Sequence, residues 1–208
     1  MLAKTEITIS DNTIRRLTLY LRSLNELNAI GRTTVSSREL ARRLDARPAQ
    51  IRKDLSCFGG FGKQGIGYPV SFLIFQLERL LKIDKQWDVA VVGLGNLGIA
   101  IGNYSGFASR GFRIAWLFDR DPQCVGQEIS GLTVLSMKDL ESTLLENNIK
   151  IGMITVPSRH AQEVANRLVG CGVRALLNYA PLNLSVPDHV FVQDIDPVMQ
   201  LQRMTYYM

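Results

Sequence analysis

The sequence predicts a two-domain α/β protein, with an N-terminal winged helix-turn-helix, a C-terminal Rossmann-like parallel sheet and a final C-terminal helix. Three observations support this prediction. Charge is divided unevenly along the 208 residues, two short helices meet at a tight turn before Pro48, and a GxGxxG turn follows a buried strand. We place the domain boundaries at residues 1–83, 84–193 and 194–208.

Composition excludes several classes of protein. With 46% hydrophobic and 21% charged residues, the chain has the balance of a globular protein rather than a disordered or collagen-like one. No apolar stretch approaches the roughly 20 residues that span a bilayer, and the N-terminus lacks the apolar core of a signal peptide. Three separated cysteines and two histidines do not have the spacing of a disulfide framework or a zinc site. We therefore expect a cytoplasmic protein with no membrane partner and no metal.

Charge distinguishes the two halves of the chain. Residues 1–82 carry 14 Lys and Arg against 7 Asp and Glu, a net charge of +7, whereas residues 83–208 carry 10 against 12, a net charge of −2. A basic front half indicates a domain that binds a polyanion. Judged by charge alone, a basic surface that is merely solvated is the simpler explanation. The pattern of predicted helices and strands must therefore distinguish such a surface from a polyanion-binding domain.

The basic half begins with two predicted helices. Apolar residues at three- and four-residue intervals over 14–27 predict a long first helix, capped by Asp11 or Asn12. A second, short helix is predicted after Ser36, because Glu39 follows three residues later in a capping-box pattern. These two helices support the element that follows.

The third helix has the pattern of a DNA-recognition helix. It begins at Pro48, where the missing N–H costs nothing, and buries Ile51, Leu55 and Phe58 on one face. Its other face is small, polar and basic, which suits the major groove, and the glycine-rich segment 59–68 suits a β-hairpin wing. The predicted DNA-binding residues are Arg47, Gln50, Arg52, Lys53 and Ser56, with Lys63 and Gln64 in the wing. A three-helix packing domain with a glycine-rich loop is the alternative.

The second half has the pattern of a dinucleotide-binding fold. Apolar residues 89–92 predict a buried strand that runs into a glycine-rich turn and a helix, and a second strand over 114–118 ends at an acid. In this pattern the glycines allow a tight turn, the approach of a pyrophosphate and close packing of helix on strand, while the helix N-terminus supplies N–H groups for the phosphates. The turn residues are Gly93, Leu94, Gly95, Asn96, Leu97 and Gly98.

The acid after the second strand indicates which nucleotide binds. Asp119 lies about 20 residues beyond the turn, the distance at which a carboxylate binds the adenosine ribose hydroxyls, and it favours NAD(H) because a 2′-phosphate would meet its charge. Arg120 instead favours NADP(H), since an arginine there attracts that phosphate. Further strands are predicted over 133–135, 151–156 and 174–178. Since ligands bind beyond the carboxyl ends of such strands, the candidate wall residues are Thr155, Val156, Pro157, Asn178, Tyr179, Ala180 and Pro181.

Three functions remain open from these patterns. A DNA-binding regulator with NAD(H) as effector uses both halves, and a regulator that senses NADP(H) is a variant of it. A small NAD-dependent oxidoreductase would need a proton donor such as His160, in a half barely large enough for the cofactor domain. No catalytic arrangement stands out, so we predict that the protein is not an enzyme. The apolar ending PVMQLQRMTYYM predicts a helix that packs on its own domain or on a second subunit.

The chain closely resembles the Rex family of redox-sensing transcriptional repressors over essentially its whole length. The resemblance is carried, in order, by QIRKDLSCFGGFGKQGIGYPV, VVGLGNLG, FDRDP, ITVP and LNYAP. It implies a homodimer with the C-terminal helix swapped between subunits, which binds inverted-repeat operator DNA when NADH is scarce. NADH closes the dimer and releases DNA, whereas NAD+ competes with NADH and is compatible with DNA binding, so both act as effectors and neither is consumed.

The resemblance also implies roles for particular residues. Arg52 and Lys53 are the pair that reads DNA in this family. The contacts that rearrange between the two states involve Arg22, Tyr104 and Asp196. Two positions depart from the family pattern: Cys57 stands where an aromatic residue is frequent, and Pro197 where a bulky apolar residue commonly approaches the nicotinamide of the other subunit.

Overall fold

A computed structural model describes residues 9–56 and 67–208 of the chain. The chain divides into two compact units between Lys85 and Gln86, two residues beyond the boundary placed from the sequence. Within the described residues, none of the helices combines the length and the apolar character needed to cross a bilayer.

The first unit is built from helices around a leucine-rich core. Its helices are α1 (Asp11–Ala29), α2 (Ser37–Arg43), α3 (Pro48–Ser56) and α4 (Val70–Leu80), and a small antiparallel sheet pairs β1 (Thr34–Val35) with β2 (Tyr68–Pro69). The largest fully buried side chains are Leu17, Tyr20, Leu24, Leu27, Leu40, Ile51, Leu73 and Leu77. The core therefore joins α1 and α4 to the short helices α2 and α3.

The predicted cap of α1 is wrong by one residue. Ser10, rather than Asp11 or Asn12, is the N-cap: its backbone is extended and its hydroxyl accepts a hydrogen bond from the Thr13 N–H. Serine is as good a cap as Asp or Asn, so the three adjacent candidates could not be separated by residue type. Asp11 lies instead in the first turn, where its charge interacts favourably with the helix dipole.

The helix-turn-helix itself is as predicted. The Ser36 hydroxyl accepts a hydrogen bond from the Glu39 N–H at 3.0 Å, and α3 begins at Pro48. Between α2 and α3, Asp45 adopts a positive φ of 48° that turns the chain. Phe58 and the wing as far as residue 66 lie outside the described residues.

The second unit is a seven-stranded sheet in which helices connect several of the strands along the chain. The strands are β3 (Trp87–Val92), β4 (Phe112–Asp119), β5 (Glu128–Ile129), β6 (Leu132–Ser136), β7 (Ile151–Ile154), β8 (Ala175–Asn178) and β9 (Phe191–Asp194). The helices are α5 (Asn96–Asn103), α6 (Leu140–Glu146), α7 (Ser158–Gly170) and α8 (Pro197–Thr205). The strand order is β5-β6-β4-β3-β7-β8-β9, and all neighbours are parallel except β5 and β6.

This strand order locates a ligand crevice. From β3 the chain first builds the sheet outward through β4 and β6, then returns to place β7 on the other side of β3. The order therefore reverses between β3 and β7, and ligands of open parallel sheets bind beyond the carboxyl ends of the strands at such a point. The edge strand β9 was not predicted, because its FVQD segment has no apolar run.

Helix α8 presents an exposed apolar face. Asp196 caps it, because its carboxylate accepts a hydrogen bond from the Val198 N–H at 2.8 Å, and Pro197 occupies the first turn. Its exposed apolar side chains, together with those that follow, are Val198, Met199, Leu201, Met204, Tyr206, Tyr207 and Met208. An apolar surface of this extent is typical of a protein contact.

Candidate functional site

The glycine-rich turn connects β3 to α5 and requires glycine at two positions for different reasons. Gly93 has a φ of +99°, and a Cβ there would lie 2.6 Å from Val156 Cγ1. At Gly98 a Cβ would lie 2.0 Å from the Gly93 carbonyl oxygen. Both positions therefore exclude a side chain through contacts inside the fold. The Thr155 hydroxyl donates to the same Gly93 oxygen at 2.6 Å and fastens the turn to the end of β7.

Gly95 differs from these two glycines. It is the N-cap of α5, with an extended backbone, and a Cβ there would have no heavy atom within 4 Å. The space beside it belongs to a cavity, so its lack of a side chain leaves room for a ligand rather than for neighbouring backbone. A cradle of this form at a helix N-terminus fits a pyrophosphate.

Asp119 lies at the end of β4, beside the glycine-rich turn. Its carboxylate accepts hydrogen bonds from the backbone N–H groups of Leu94 and Asp121, the latter at 2.8 Å. These bonds hold the acid at the rim of the cavity, where it fits ribose hydroxyls. The adjacent Arg120 is exposed and lines the same cavity.

A cavity of about 440 Å³ joins the turn, Asp119 and the end of β7, within the size range of small-molecule sites. The predicted residues that line it are Gly93, Gly95, Asn96, Leu97, Asp119, Arg120, Thr155, Val156 and Pro157. Helix α7 adds His160, which was named above only as a possible proton donor, and three residues not predicted from the sequence, Glu163, Val164 and Arg167. Their three- and four-residue spacing is the signal of a shared helix face that could have found them.

Arg167 also lines this cavity, and its guanidinium is bound by neighbouring groups. Its guanidinium donates two hydrogen bonds to the Glu141 carboxylate, at 2.6 and 2.8 Å, and a third to the Met137 carbonyl oxygen. The hydrogen bonds from Arg167 lower the pKa of Glu141. The guanidinium is therefore held in place by α6 rather than left free for a ligand.

Four of the predicted wall residues do not line this cavity. Asn178 is fully buried: its amide donates to the carbonyl oxygens of Ala180 and Leu182 and to the Asp194 carboxylate, and its oxygen accepts from the Ala180 N–H. Its side chain therefore fastens the loop after β8 to β9. Ala180 and Pro181 border a separate cleft beside α8. Binding roles for these residues and for Tyr179 stay predictions.

The basic face of the first unit lies on α3. The side chains of Arg47, Arg52, Lys53 and Ser56 are exposed, and their contact with DNA stays a prediction. The structure adds two exposed arginines on α2, Arg38 and Arg42, that sequence analysis did not single out. Lys63, Gln64 and Cys57 lie outside the described residues, so their proposed roles stay predictions.

A buried carboxylate supports this face from beneath. Asp54, only 3% exposed, accepts hydrogen bonds from Arg16, Tyr20 and Gln50. Burial alone would raise the pKa of Asp54, but the bonds from these three side chains outweigh it and lower that pKa. Burial, followed by the bond to Asp54, raises the pKa of Tyr20. The sequence carried a signal for this site, because Asp54 falls on the buried stripe of α3.

Asp54 is expected to make the first unit sensitive to acid. Its pKa is lower in the folded chain than its ordinary value of 3.8, so its stabilisation is complete above about pH 4 and is lost as pH falls through the folded-state pKa. Asp54→Asn should remove this dependence and cost about 3 kcal/mol at pH 7, as for a broken buried pair. Thermal unfolding between pH 7 and pH 3 measures both effects. Equal pH slopes for the two proteins would contradict the assignment.

The residues that the family resemblance links to switching lie in different units. Arg22 forms an ion pair with Glu26 at 3.5 Å on the surface of α1. In the second unit, Tyr104 follows α5 with its ring half exposed, and Asp196 caps α8. Their role as a switch stays a prediction.

The part of the chain that the structure describes contains no candidate metal-binding cluster. Over residues 9–56 and 67–208, no three His, Cys, Asp or Glu side chains come together as ligands. Burial raises the thiol pKa of both Cys124 and Cys171. These two thiols are therefore protonated, and weak as nucleophiles, at neutral pH.

Comparisons with known proteins agree with this arrangement. A family model described as "CoA binding domain" matches residues 84–182, and one described as "Putative DNA-binding protein N-terminus" matches residues 8–56. A redox-sensing transcriptional repressor Rex from Roseiflexus sp. (strain RS-1) is 53% identical to this chain, and the match covers 95% of this chain and 90% of that protein. Another from Streptomyces griseus is 45% identical, and the match covers 96% of this chain and 79% of that protein. The crystal structure of RSP with beta-NAD+ and operator DNA is 38% identical, with a TM-score of 0.91 over 96% of this chain and 92% of that one. The RSP structure with beta-NADH is 36% identical, with a TM-score of 0.88, and the match covers 96% of this chain and 94% of that one.

Proposed function

This chain belongs to the Rex family of redox-sensing transcriptional repressors, and on that premise we propose that it binds operator DNA through α3 and senses the NADH/NAD+ ratio through its second unit. One observation carries the proposal: a single chain combines an exposed basic helix with an open glycine cradle beside Asp119. The nucleotide is an effector that is not consumed. The protein acts in the cytoplasm, where its operator lies.

The operator is an inverted repeat and the repressor is a homodimer. Helix-turn-helix proteins commonly dimerise to place two recognition helices about one turn of DNA apart, roughly 34–36 Å. The exposed apolar face of α8 supports a contact with a second subunit, because such a surface is costly in water. We assign residues 194–208 to this contact and expect α8 to be exchanged between subunits.

NADH favours a state that releases DNA, and NAD+ is compatible with the bound state. To move an equilibrium from 1:99 to 99:1, a ligand must prefer one state about 10⁴-fold, or roughly 5.5 kcal/mol, which two sites per dimer would share. Rearranged contacts of Arg22, Tyr104 and Asp196 carry the change between states. Because coupling is reciprocal, operator DNA must weaken NADH binding by the same factor.

Fluorescence anisotropy of labelled operator DNA tests the proposal. NADH is titrated at fixed salt with NAD+ held constant, since the affinity of a protein for DNA depends steeply on salt. We expect NADH to release DNA, NADPH to be much weaker, and NADH to be recovered unoxidised. DNA binding indifferent to both nucleotides, or turnover of NADH with a hydroxy or oxo compound, would overturn it.

Asp119 is expected to select NADH over NADPH. Asp119→Ala removes the carboxylate that fits the ribose hydroxyls and repels a 2′-phosphate, so NADH affinity should fall about tenfold while NADPH loses little. Asp121→Ala is the matched control, because its carboxylate bonds the Gln123 N–H and does not line the cavity. Calorimetric titration with both nucleotides measures the ratio. An unchanged ratio in Asp119→Ala would remove Asp119 from the binding site.

A further inference from the structure

The hydrogen bonds of Asp54 saturate its carboxylate. Oδ1 accepts from Arg16 Nη2 at 2.8 Å and from Gln50 Nε2 at 2.7 Å, and Oδ2 accepts from Arg16 Nε at 2.6 Å and from Tyr20 Oη at 2.7 Å. An ionised carboxylate offers about four lone-pair positions, and here each has a donor. Three of these four bonds come from α1 and one comes from α3 itself, so α1 holds the carboxylate beneath the exposed face of α3.

This carboxylate determines which way the Gln50 amide points. An ionised carboxylate accepts hydrogen bonds and cannot donate, so only the NH2 end of the amide can face Asp54. The reversed amide would place its oxygen against a carboxylate oxygen, two acceptors with no proton between them. Gln50 is half-buried, and its Oε1 and second N–H form no hydrogen bond within the described residues.

We propose that Asp54 is a specificity-determining residue that acts through Gln50: it fixes the amide so that Gln50 recognises adenine in the major groove. Adenine presents the N6 donor and the N7 acceptor, which match a free amide oxygen and a free N–H. Guanine presents two acceptors and thymine presents one, so an amide fixed in this orientation disfavours both. Asp54 itself is buried and is a positioning residue. The inference rests on the proposed function, since it requires that α3 meets DNA.

The experiment begins with a selection that also tests DNA binding. The wild-type protein selects duplexes from a random-sequence pool, and the enriched duplex is then made with every single base-pair substitution. If nothing is enriched, the proposed function and the inference both fail, because the inference requires that α3 meets DNA. If a duplex is enriched, Gln50→Ala identifies the base pair that Gln50 recognises as the position where discrimination falls.

Three variants separate positioning from stability. Asp54→Asn frees the amide to reverse, since asparagine can donate as well as accept. Tyr20→Phe weakens the same network through Oδ2 but keeps the carboxylate and its bond to Gln50. Glu39→Gln removes one negative charge from the same unit, at an exposed ion pair with Arg32. Affinities are measured at pH 7 and at a temperature where thermal unfolding shows each variant to be folded.

The base pair found with Gln50→Ala is expected to contain adenine. At that position Asp54→Asn should lower discrimination against guanine and thymine about tenfold, the size of one good amide–base contact. Discrimination elsewhere, and that of Tyr20→Phe and Glu39→Gln, should be unchanged. In the Gln50→Ala background, Asp54→Asn should have no further effect at that position, which a purely structural role of Asp54 would not produce.

Two outcomes would overturn the inference while leaving the proposed function intact. One is that Asp54→Asn weakens binding to all duplexes by the same factor. The other is that the base pair identified by Gln50→Ala prefers guanine or thymine where adenine is required. The second outcome needs no change at Asp54, so it tests the inference even if Asp54→Asn does not fold.

Discussion

Replacing Gly95 with aspartate is expected to give a folded protein that binds operator DNA and no longer responds to NADH. The wild-type position has an extended backbone with φ near −69°, and a Cβ there meets no atom within 4 Å. Aspartate is also among the best N-cap residues, so the helix that begins at Asn96 should be as stable as before or more stable. The Tm should therefore be retained.

The same side chain would prevent nucleotide binding for two reasons. The carboxylate would accept hydrogen bonds from the first N–H groups of α5, which are the groups that fit the phosphates. It would also place a negative charge beside a pyrophosphate that carries two. At about 4 Å each such repulsion amounts to roughly 1–4 kcal/mol, depending on the local dielectric constant, so we expect NADH affinity to fall at least about 100-fold.

Gly98→Ala, a smaller change three residues later, is expected instead to lower the stability of the fold. Its methyl group would lie 2.0 Å from the Gly93 carbonyl oxygen, which the Thr155 hydroxyl already holds in place. The turn must move, and the second unit should lose about 1–3 kcal/mol of stability or more. Thermal unfolding separates the two variants, and titration with NADH gives the affinity. NADH-dependent DNA release by Gly95→Asp would remove the glycine cradle from the sensing site.

The sequence predicted most of the features that depend on short-range patterns. The capping box at Ser36, the start of α3 at Pro48 and the turn from Gly93 to Gly98 are each set by residues within a few positions of one another. The strand before that turn and the acid at the end of β4 extended the prediction to the position of the ligand crevice. These patterns are local in the chain, so one sequence is enough to find them.

The features that were missed depend on residues distant in sequence. The hydrogen bonds of the Asn178 amide to Asp194 and to the loop after β8 were not foreseen, and β9 itself was not predicted. The partners of Asp54 on α1 lie 34 and 38 residues away. A polar residue at the end of a strand, or on a buried stripe, has the same local pattern whether it faces a ligand or a neighbouring element. Only the packed fold distinguishes the two.

Removing both cations of the recognition helix is expected to abolish operator binding while nucleotide binding is retained. Arg52 and Lys53 are exposed on α3, and a homodimer would carry each of them twice. An arginine that contacts a base edge contributes roughly 1–3 kcal/mol per site, and a lysine that neutralises a phosphate contributes about 0.9 to the salt slope. Arg52→Ala/Lys53→Ala should therefore weaken operator binding more than about 100-fold.

Salt dependence tests how these two residues act. Lys53→Ala alone should weaken operator and random DNA alike and lower the salt slope by about 2 for a dimer, whereas Arg52→Ala should reduce the preference for operator over random DNA. Arg110→Ala/Arg174→Ala removes the same charge from exposed sites of the second unit and is the matched control. Calorimetry should give the same NADH affinity for all of these proteins. Equal losses of DNA affinity in the two double variants would mean that net charge, rather than the face of α3, holds the operator.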